Sequence, residues 1–424
     1  MHKIERLLQT LAPKGVEFKT LEEVFEIKNG YTPSKNNPEF WEKGTIPWFR
    51  MEDIRENGRI LKDSIQHITP KALKNKKLFP KNSIIISTTA TIGEHALLIV
   101  DSLANQRFTF LSKKANCNIA LDMKFFFYQC FLLGEWCKKN TNVSGFASVD
   151  MTAFKKYKFP IPPLEIQQEI VKILDAFTEL NTELNTELKA RKKQYQYYQN
   201  MLLDFNDINS NHKDTKEKLA QKPYPKRLKS LLQTLAPKGV EFRKLGEVCD
   251  FQKGKSITKK AVTFGKVPVI SGGRQPAYYH NEANRSGETI AISSSGVYAG
   301  YVSYWDIPVF LADSFSVSPK QKTLMPKYLF HYLTTQQDAI HATKSTGGIP
   351  HVYSKDLQNF LIPIPPLEIQ QEIVKILDQF SILTTDLLAG IPAEIEARKK
   401  QYEYYREKLL AFKPLTPHKE VKKC

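Results

Sequence analysis

The chain carries the same sequence frame twice. Residues 7–18 read LLQTLAPKGVEF, and residues 231–242 repeat that string without a change. Residues 160–175 read PIPPLEIQQEIVKILD, and the same string returns at 363–378. The stretches between these blocks differ strongly. We therefore expect two similar modules, each with a variable head on a common stem. The stems would share one task, and the heads would contact two different targets.

The repeat divides the 424 residues into alternating heads and stems. A chain of this length can hold two to four domains. After the first stem, a polar stretch ending in KPYPKR is typical of a loose linker. The predicted divisions are 1–160 (lead-in segment and first head), 161–205 (first stem), 206–227 (linker), 228–363 (second head with its lead-in segment), 364–412 (second stem) and 413–424 (tail).

Both heads contain short runs of β-branched and aromatic residues, followed by longer apolar stretches. The first pattern predicts strands and the second predicts helices, so each head is expected to be a mixed α/β domain. With the stems, this predicts an α+β fold with a pseudo-twofold internal repeat. The predicted strands are Ser83–Ser87, Phe108–Leu111, Thr289–Ser293 and Phe315–Ser318, and the predicted helices cover 122–138 and 326–341.

An apolar ladder with steps of three and four residues runs through each stem, and this spacing defines a heptad seam. The matched ladders favour a coiled-coil-like stem in which two long helices pair with each other. The alternative is two unrelated amphipathic helices, each packed on its own head. The ladder residues are Ile166, Ile170, Ile173, Phe177, Leu180, Leu184, Leu188, Tyr195, Tyr198, Leu202 and Phe205 in the first stem, and Ile369, Ile373, Ile376, Phe380, Leu383, Leu387, Ile391, Ile395, Tyr402, Tyr405, Leu409 and Phe412 in the second.

Two local features distinguish the stems. Residues 178–189 of the first stem read TELN, TELN and TELK in tandem. Four residues make close to one helical turn, so gaining or losing a unit keeps leucine on the seam. The tandem is thus either an adjustable spacer between the heads or accidental low complexity. In the second stem, Gly390-Ile391-Pro392 threatens the continuity of the helix, because an internal proline removes a hydrogen bond.

The charge balance favours a polyanionic partner. The formal net charge is +18, which makes nucleic acid the first candidate and an acidic membrane surface a weaker one. No apolar run is long enough to span a membrane, and the N-terminus lacks the apolar core of a secretion signal. The five cysteines show no paired spacing, so we expect reduced thiols in a cytoplasmic protein.

Catalytic and metal-binding signatures are missing from the sequence. We find no dinucleotide-binding glycine motif, no metal-ligand set and no nucleophile elbow. Gly254-Lys255-Ser256 resembles the end of a phosphate-binding loop, but Cys249 stands where that motif needs its first glycine. This pattern favours binding over catalysis, without metal or cofactor in this chain.

Short recurring phrases in the heads complete the pattern. They are NGYTPS at 29–34, FW at 40–41, ISTTATIG at 86–93 and NQR at 105–107 in the first head, and KGKS at 253–256, SGGR at 271–274 and ISSSGVYAG at 292–300 in the second. Together with the PPLEIQQEI stems, they resemble the specificity (S) subunit of bacterial type I restriction-modification enzymes, the HsdS-like family. The resemblance covers essentially the whole chain.

The resemblance implies a plan and a set of partners. Two target-recognition domains would be separated by two long antiparallel helices, and each domain would read one half of a split, asymmetric double-stranded DNA site. Two methyltransferase (M) subunits, which carry S-adenosylmethionine and methylate adenine, would bind the chain. Restriction (R) subunits, driven by ATP with Mg, would join them. The chain itself would have no enzyme activity.

Polar, basic and aromatic side chains in these phrases are the candidates for DNA contact, because such groups reach phosphates and base edges. Any one of them is otherwise a turn or ordinary surface residue. The candidates are Tyr31, Thr32, Ser34, Arg50, Thr89, Thr91, Gln106 and Arg107 in the first head, and Lys255, Ser256, Arg274, Ser294, Ser295, Tyr298 and Lys344 in the second.

Two other functions stay open on the sequence alone. One is an enzyme, namely the recognition chain of a related restriction-methyltransferase system with catalysis that the motifs do not reveal. The other is a coiled-coil scaffold that binds only proteins. Methyl transfer without a partner would favour the first, and an absence of salt-dependent DNA binding would favour the second.

Overall fold

The structure is a computed structural model, and it describes residues 2–73, 77–142, 147–208, 215–320, 322–345, 348–385 and 390–415. The chain divides into two units. Unit 1 comprises residues 1–183 with 396–424, and unit 2 comprises residues 184–395. Each unit thus combines one head with the first half of one stem and the second half of the other. This is the antiparallel stem arrangement that the family resemblance implied.

Unit 1 contains a head built on a five-stranded sheet of order β2-β9-β6-β7-β4. A three-stranded sheet, β5-β3-β8, and two ribbons, β1-β12 and β10-β11, accompany it. The helices are α1 (His2–Leu11), α2 (Leu21–Val24), α3 (Met51–Asn57), α4 (Met123–Lys139) and α5 (Met151–Lys155), and the first stem helix α6 (Leu164–Leu203) follows. The strands are β1 (Glu17–Thr20), β2 (Phe25–Asn29), β3 (Ile46–Phe49), β4 (Ile60–Leu61), β5 (His67–Ile68), β6 (Ile84–Ser87), β7 (His95–Leu98), β8 (Leu103–Ala104), β9 (Phe108–Lys113), β10 (Thr141–Asn142), β11 (Ser148–Val149) and β12 (Lys158–Ile161).

Unit 2 repeats this plan with a four-stranded sheet, β14-β20-β17-β18, a three-stranded sheet, β16-β15-β19, and the ribbon β13-β21. The helices are α7 (Thr215–Gln221), α8 (Lys226–Leu235), α9 (Leu245–Val248), α10 (Pro326–Thr335), α11 (Gln337–Ala342) and α12 (Ser354–Leu357), and the second stem contributes α13 (Leu367–Thr385) and α14 (Ile391–Leu410). The strands are β13 (Glu241–Lys244), β14 (Cys249–Lys253), β15 (Val267–Ile270), β16 (Tyr278–His280), β17 (Thr289–Ser293), β18 (Val302–Trp305), β19 (Phe310–Leu311), β20 (Ser314–Pro319) and β21 (Leu361–Ile364).

The two heads therefore share a topology that their sequences conceal. In both, a central antiparallel sheet lies beside a small sheet whose middle strand pairs in parallel with a short strand from later in the chain. The first head adds α3 and β4, and β4 extends the central sheet by pairing in parallel with β7. This insertion accounts for part of its greater length. The predicted mixed α/β heads are confirmed.

A buried glutamine fixes the beginning of each stem to its head. The Gln167 side chain accepts a hydrogen bond from the Asp122 N–H at 2.8 Å and donates to the carbonyls of Ala120 and Pro162 at 2.8 and 2.7 Å. Because Asp122 also caps α4, the same clamp orients that helix. A buried amide with all its partners made is costly to disrupt.

Gln370 repeats that clamp in unit 2. It accepts from the Met325 N–H at 2.9 Å and donates to the carbonyls of Thr323 and Pro365 at 2.8 and 2.7 Å. The repeated PPLEIQQEI string thus encodes a repeated set of contacts. The sequence identity at these positions is explained by a shared structural task.

Stacked aromatic rings join the stem halves within each unit. In unit 1 the ring of Phe177 stacks on Tyr405, with centroids 5.5 Å apart. In unit 2 the ring of Phe380 stacks on Tyr198, with centroids 5.0 Å apart. The predicted pairing of the two ladders is therefore present in both units.

The first turns of the stems also face the heads. Ile166 and Ile170 are fully buried in the core of unit 1, together with Leu174, which the ladder did not include. Leu377 is the buried counterpart of Leu174 in unit 2. A stem helix that packs on a head and on a second helix needs a wider apolar face than a coiled-coil seam, which explains the additional leucine.

The local features singled out in the two stems have different outcomes. Helix α6 runs through the TELN tandem without interruption. The second stem is described as α13 and α14, and Leu387 of the predicted ladder lies outside the described residues. Pro392 falls in the first turn of α14, where a missing N–H has no cost, and the Gly390 carbonyl accepts the first intrahelical hydrogen bonds. Pro392, expected to interrupt a helix, thus lies in the first turn of α14.

Within the described residues, no helix is both long and apolar enough to cross a membrane. In the same part of the chain, no group of three or more His, Cys, Asp or Glu side chains is arranged to hold a metal ion. Burial raises the pKa values of the Cys137 and Cys249 thiols to about 12. These thiols are therefore protonated at neutral pH and poor nucleophiles.

Candidate DNA interface

A glycine at the end of the first long strand of each head brings two loops into contact. A Cβ atom on Gly30 would lie 2.3 Å from the carbonyl oxygens of Ala104 and Asn105. A Cβ atom on Gly254 in unit 2 would lie 2.5 Å from the carbonyl oxygen of Leu311. Only glycine permits so close an approach. The phrase that follows each glycine is thereby held against the loop that follows β8 or β19.

A cavity of about 360 Å³ lies where these loops meet in unit 1. It lies among the loops after β2, β3, β6 and β8, which all end at the same side of the head. Of the eight candidates in the first head, five line this cavity, namely Thr32, Arg50, Thr91, Gln106 and Arg107.

The charged groups of the cavity are mostly cationic. Arg50, Arg55, Arg107 and Lys35 contribute positive charge, and Glu52 is the carboxylate among the lining residues. Such a balance favours phosphate oxygens and the acceptor edges of bases. The cavity therefore has the electrostatic character that a DNA contact requires.

Arg50 immediately precedes α3, and hydrogen bonds at the start of this helix fix its backbone. The Arg50 N–H donates to Asp53 Oδ2 at 2.6 Å, and Asp53 Oδ1 accepts from the Ile65 N–H at 2.6 Å. The guanidinium lies over the Trp48 ring at 5.9 Å. Its Nε is buried without a hydrogen-bond partner and lies 3.8 Å from Glu52 Oε2, within ion-pair distance. The backbone of Arg50 is thus fixed, and its guanidinium lies at the cavity between the Trp48 ring and the Glu52 carboxylate.

The loop after β8 is ordered by its own side chains. Thr32 Oγ1 donates to Gln106 Oε1, which joins the exposed Gln106 side chain to the loop after β2. The Arg107 N–H donates to Asn105 Oδ1 at 2.7 Å, a turn that projects the exposed Arg107 side chain from the loop. Both predicted polar residues of this loop therefore lie at the cavity.

The other three candidates of the first head lie outside the cavity lining. Tyr31 is half-buried against a small core, and its carbonyl accepts from Trp48 Nε1 at 2.9 Å. The Ser34 carbonyl accepts from Trp41 Nε1 at 2.9 Å. Thr89 is half-buried. Their visible contacts are those of loop geometry and packing.

In unit 2 the same loops carry different chemistry. The Lys255 N–H donates to the Leu311 carbonyl at 2.8 Å, which places the exposed Lys255 and Ser256 beside the loop after β19. Ser294 donates its N–H to the Asp313 carbonyl at 3.0 Å. Lys255, Ser256, Ser294 and Asp313 thus lie on neighbouring loops at this end of the second head.

A second group of cations lies on the other loops of this head. The Arg274 guanidinium lies 5.0 Å over the Tyr298 ring and 5.6 Å over the Tyr301 ring. Burial lowers the pKa of His341, and the charges of Lys344 and Arg274 lower it further. Arg274 thus lies against Tyr298 and Tyr301, and the positive charges of Arg274 and Lys344 both act on His341.

Sequence reasoning missed three residues of these sites. Lys35 adjoins a selected phrase, and Arg55 lies five residues after Arg50 on a helix that the sequence did not suggest. Asp313 receives a hydrogen bond from Ser295 Oγ in the centre of the second loop cluster. The available signal in the sequence was an acidic residue between two short apolar runs, in the string FLADSF at 310–315, whereas the predicted DNA contacts were chosen among cations, hydroxyls, amides and aromatics.

Two heads of one topology, clamped identically to a shared helical stem and bearing unlike polar loops, define a two-headed recognition protein. Comparison with known sequences and structures identifies the family to which this architecture belongs. The type I restriction modification DNA specificity domain family matches residues 13–219 and 237–397, so the chain belongs to that family.

Individual relatives agree with this assignment. The chain is 40% identical over 402 residues to the type I restriction enzyme EcoprrI specificity subunit of Escherichia coli, covering 91% of this chain and 93% of that one. It is 33% identical over 313 residues to the EcoR124I/EcoR124II specificity subunit of the same species, covering 65% and 70%. The function predicted from the sequence, DNA specificity in a type I restriction-modification system, is confirmed.

A solved structure shows the same fold at lower sequence identity. The type I restriction-modification S subunit from M. genitalium superposes with a TM-score of 0.58 at 18% identity, covering 93% of this chain and 96% of that one. Identity this low supports the fold alone. It agrees with two mixed heads on long helices.

Proposed function

We propose that each head reads one half of a bipartite, asymmetric DNA site and that the stem sets the gap between the halves. The observation that carries this proposal is the pair of loop clusters, one after Gly30 and one after Gly254, built on the same backbone but lined by different side chains. Equal frames give each head the same way of meeting a duplex. Unequal side chains give the halves different sequences.

The stem supplies the second part of the proposal. A 40-residue helix such as α6 is about 60 Å long. Aromatic stacking of Phe177 on Tyr405 and of Phe380 on Tyr198 stiffens it. A stiff element of fixed length transmits a fixed gap, and the base pairs within the gap stay unread.

The same stem is proposed to dock two methyltransferase subunits. Tyr197 and Tyr404 occupy matching places in the repeated QYxYY strings and are 58% and 53% exposed. Large exposed aromatics are typical of protein interfaces. Because the repeat presents this residue twice, it offers two similar docking positions and hence binds two copies of one partner.

Catalysis is proposed to belong to the partners. Methyl transfer to adenine would use S-adenosylmethionine held by the M subunits, and cleavage would use ATP and Mg held by the R subunits.

The test is a reconstitution with controls for both alternative functions. The chain would be purified alone and with its methyltransferase partner, and each preparation incubated with DNA and S-adenosylmethionine. We expect methylation at one bipartite motif by the complex and none by the chain alone. Methyl transfer by the chain alone would establish the enzyme instead. DNA affinity of the complex that does not depend on this chain or on salt would favour the scaffold.

A further inference from the structure

Arg107 has a fixed backbone position in unit 1. The Thr88 N–H, directly after β6, donates to the Arg107 carbonyl at 3.1 Å. The Gly30 N–H donates to the carbonyl of the next residue, Phe108, at 2.8 Å. Two neighbouring strands therefore hold this arginine at the beginning of β9, at the mouth of the loop cluster.

Asp313 occupies the same position in unit 2. The Ser294 N–H, directly after β17, donates to the Asp313 carbonyl at 3.0 Å, and the Gly254 N–H donates to the Ser314 carbonyl at 2.8 Å. Both anchors of Arg107 are thus reproduced. The recognition loop places a cation in one head where it places a carboxylate in the other.

Both residues are exposed; Arg107 lines the cavity of unit 1, and the Asp313 carboxylate lies against the Ser295 loop of unit 2. An aspartate there is unfavourable near a phosphate backbone, because like charges repel. Its presence is physically reasonable where it accepts a hydrogen bond from a base amino group. Ser295 Oγ donates one hydrogen bond to it, and a carboxylate has capacity for about four.

Gly272 lies beside the Ser295 loop that contacts Asp313. A Cβ atom on Gly272 would lie 3.8 Å from Asp313 Oδ2 and 2.6 Å from the Ser295 carbonyl oxygen. Any larger residue at this position would have to displace the serine loop. The carboxylate is therefore held by Ser295, and the Ser295 loop can lie in this place because residue 272 is glycine.

In the major groove, arginine pairs with the O6 and N7 acceptors of guanine, whereas aspartate accepts from the N4 amino group of cytosine. We propose that each head reads a G·C pair in its own half-site. Arg107 contacts the guanine in the half-site of the first head, and Asp313 contacts the cytosine in the half-site of the second. This rests on the proposed function, and it names the base that each head requires.

The test uses the chain with its methyltransferase partner, expressed in a host without adenine methylation, and reads the methylated motif by sequencing. Arg107→Gln should change or relax one position in one half-site, since glutamine pairs with adenine. Asp313→Asn should relax one position in the other half-site. Discrimination at each position should fall roughly 10- to 100-fold. Lys71→Gln and Asp250→Asn, on the same heads but outside the loop clusters, should leave the motif unchanged.

A second measurement keeps the proposal testable if a variant fails to fold. The wild-type complex would be titrated with DNA carrying 7-deazaguanine, or a pyrimidinone without the amino group, at each G·C pair in turn. The first analogue should weaken binding at one position of one half-site, and the second at one position of the other. Variants that leave the motif unchanged, or analogues without effect, would overturn the base assignment. A wild-type complex that methylates no bipartite motif would instead refute the proposed function.

Discussion

The two heads are alike where they meet the stem and unlike where they end in loops. Lys124 and Lys327 lie in equivalent ion pairs, each 2.6 Å from a stem aspartate. The additional partner of that aspartate already differs, being the Tyr128 hydroxyl in unit 1 and the His331 ring in unit 2. In the loops the difference becomes a reversal of charge, from Arg107 in the first head to Asp313 in the second. Divergence thus increases with distance from the shared frame.

A second contrast lies inside the heads. His95 in β7 pairs with Ile86, and Val302 in β18 pairs with Ile292, so the two occupy equivalent sheet positions. Burial, with a smaller contribution from the charge of Arg59, lowers the pKa of His95 from 6.5 to about 3. The first head therefore buries a neutral imidazole where the second buries the isopropyl group of Val302, and their responses to acid should differ.

The largest expected effect concerns the stems. Deleting residues 182–185 removes one TELN unit, which shortens α6 by about 6 Å and rotates its ends by roughly 40°. We expect methylation of the original motif to be lost and a motif with a gap shorter by about one or two base pairs to appear. Methylome sequencing measures both. Alanine substitution at Thr182 and Asn185 keeps the length and should keep the gap. An unchanged gap after the deletion would refute the spacer interpretation.

The next effect tests whether the two clamps are equivalent. Gln167→Leu and Gln370→Leu each leave one N–H and two carbonyls without their partner, so each should lower the free energy of unfolding by about 3 kcal/mol. Urea denaturation with hydrogen exchange of α4 and α10 would report each unit. The exposed neighbours Gln168 and Gln371 serve as matched leucine controls. A strong effect in only one unit would show that the repeat is not energetically symmetric.

A smaller effect should separate the heads by pH. Because the pKa of His95 is depressed in the folded state, its contribution is complete above about pH 6.5 and declines as the pH falls. Between pH 7 and pH 5 this should cost unit 1 about 2 kcal/mol. His95→Val, which copies Val302, should remove that loss in thermal unfolding, and His67→Gln should not. Equal acid sensitivity of wild type and His95→Val would contradict the burial of a neutral imidazole.

The smallest effect concerns the exposed tyrosines of the stems. Tyr197→Ala or Tyr404→Ala should each weaken one methyltransferase contact by about 1 kcal/mol without unfolding the chain. Titration calorimetry with the partner would detect two sites in wild type and one weakened site in each variant. Substituting the stacked Tyr198 or Tyr405 instead should lower stability. Unchanged affinity in both exposed variants would place docking on another face.

The regular elements could be predicted where local patterns decide them. The strand at Thr289–Ser293 was predicted with its observed ends, and the apolar runs at 122–138 and 326–341 were recognised as helical, although the second divides into α10 and α11. Hydrophobic periodicity and caps act over a few residues, so sequence reveals them. Pairing of the stems also followed from their matched ladders.

The site was less accessible, because it depends on contacts between distant segments. The approach of Gly30 to Asn105 joins residues 75 positions apart, and nothing in either phrase specifies the other. Sequence reasoning therefore grouped Thr32 with Gln106 only through a shared family resemblance. It overlooked Asp313 because only the structure shows that Asp313 occupies the backbone position that Arg107 occupies in the first head.

The clamp formed by Gln167 and Gln370 binds only main-chain atoms of the head. Any head that ends in the same backbone turn satisfies it, whatever side chains its loops carry. The loops of a head can therefore change in evolution while the attachment of the head to the stem is conserved. New target sequences can then arise without any change in the stem.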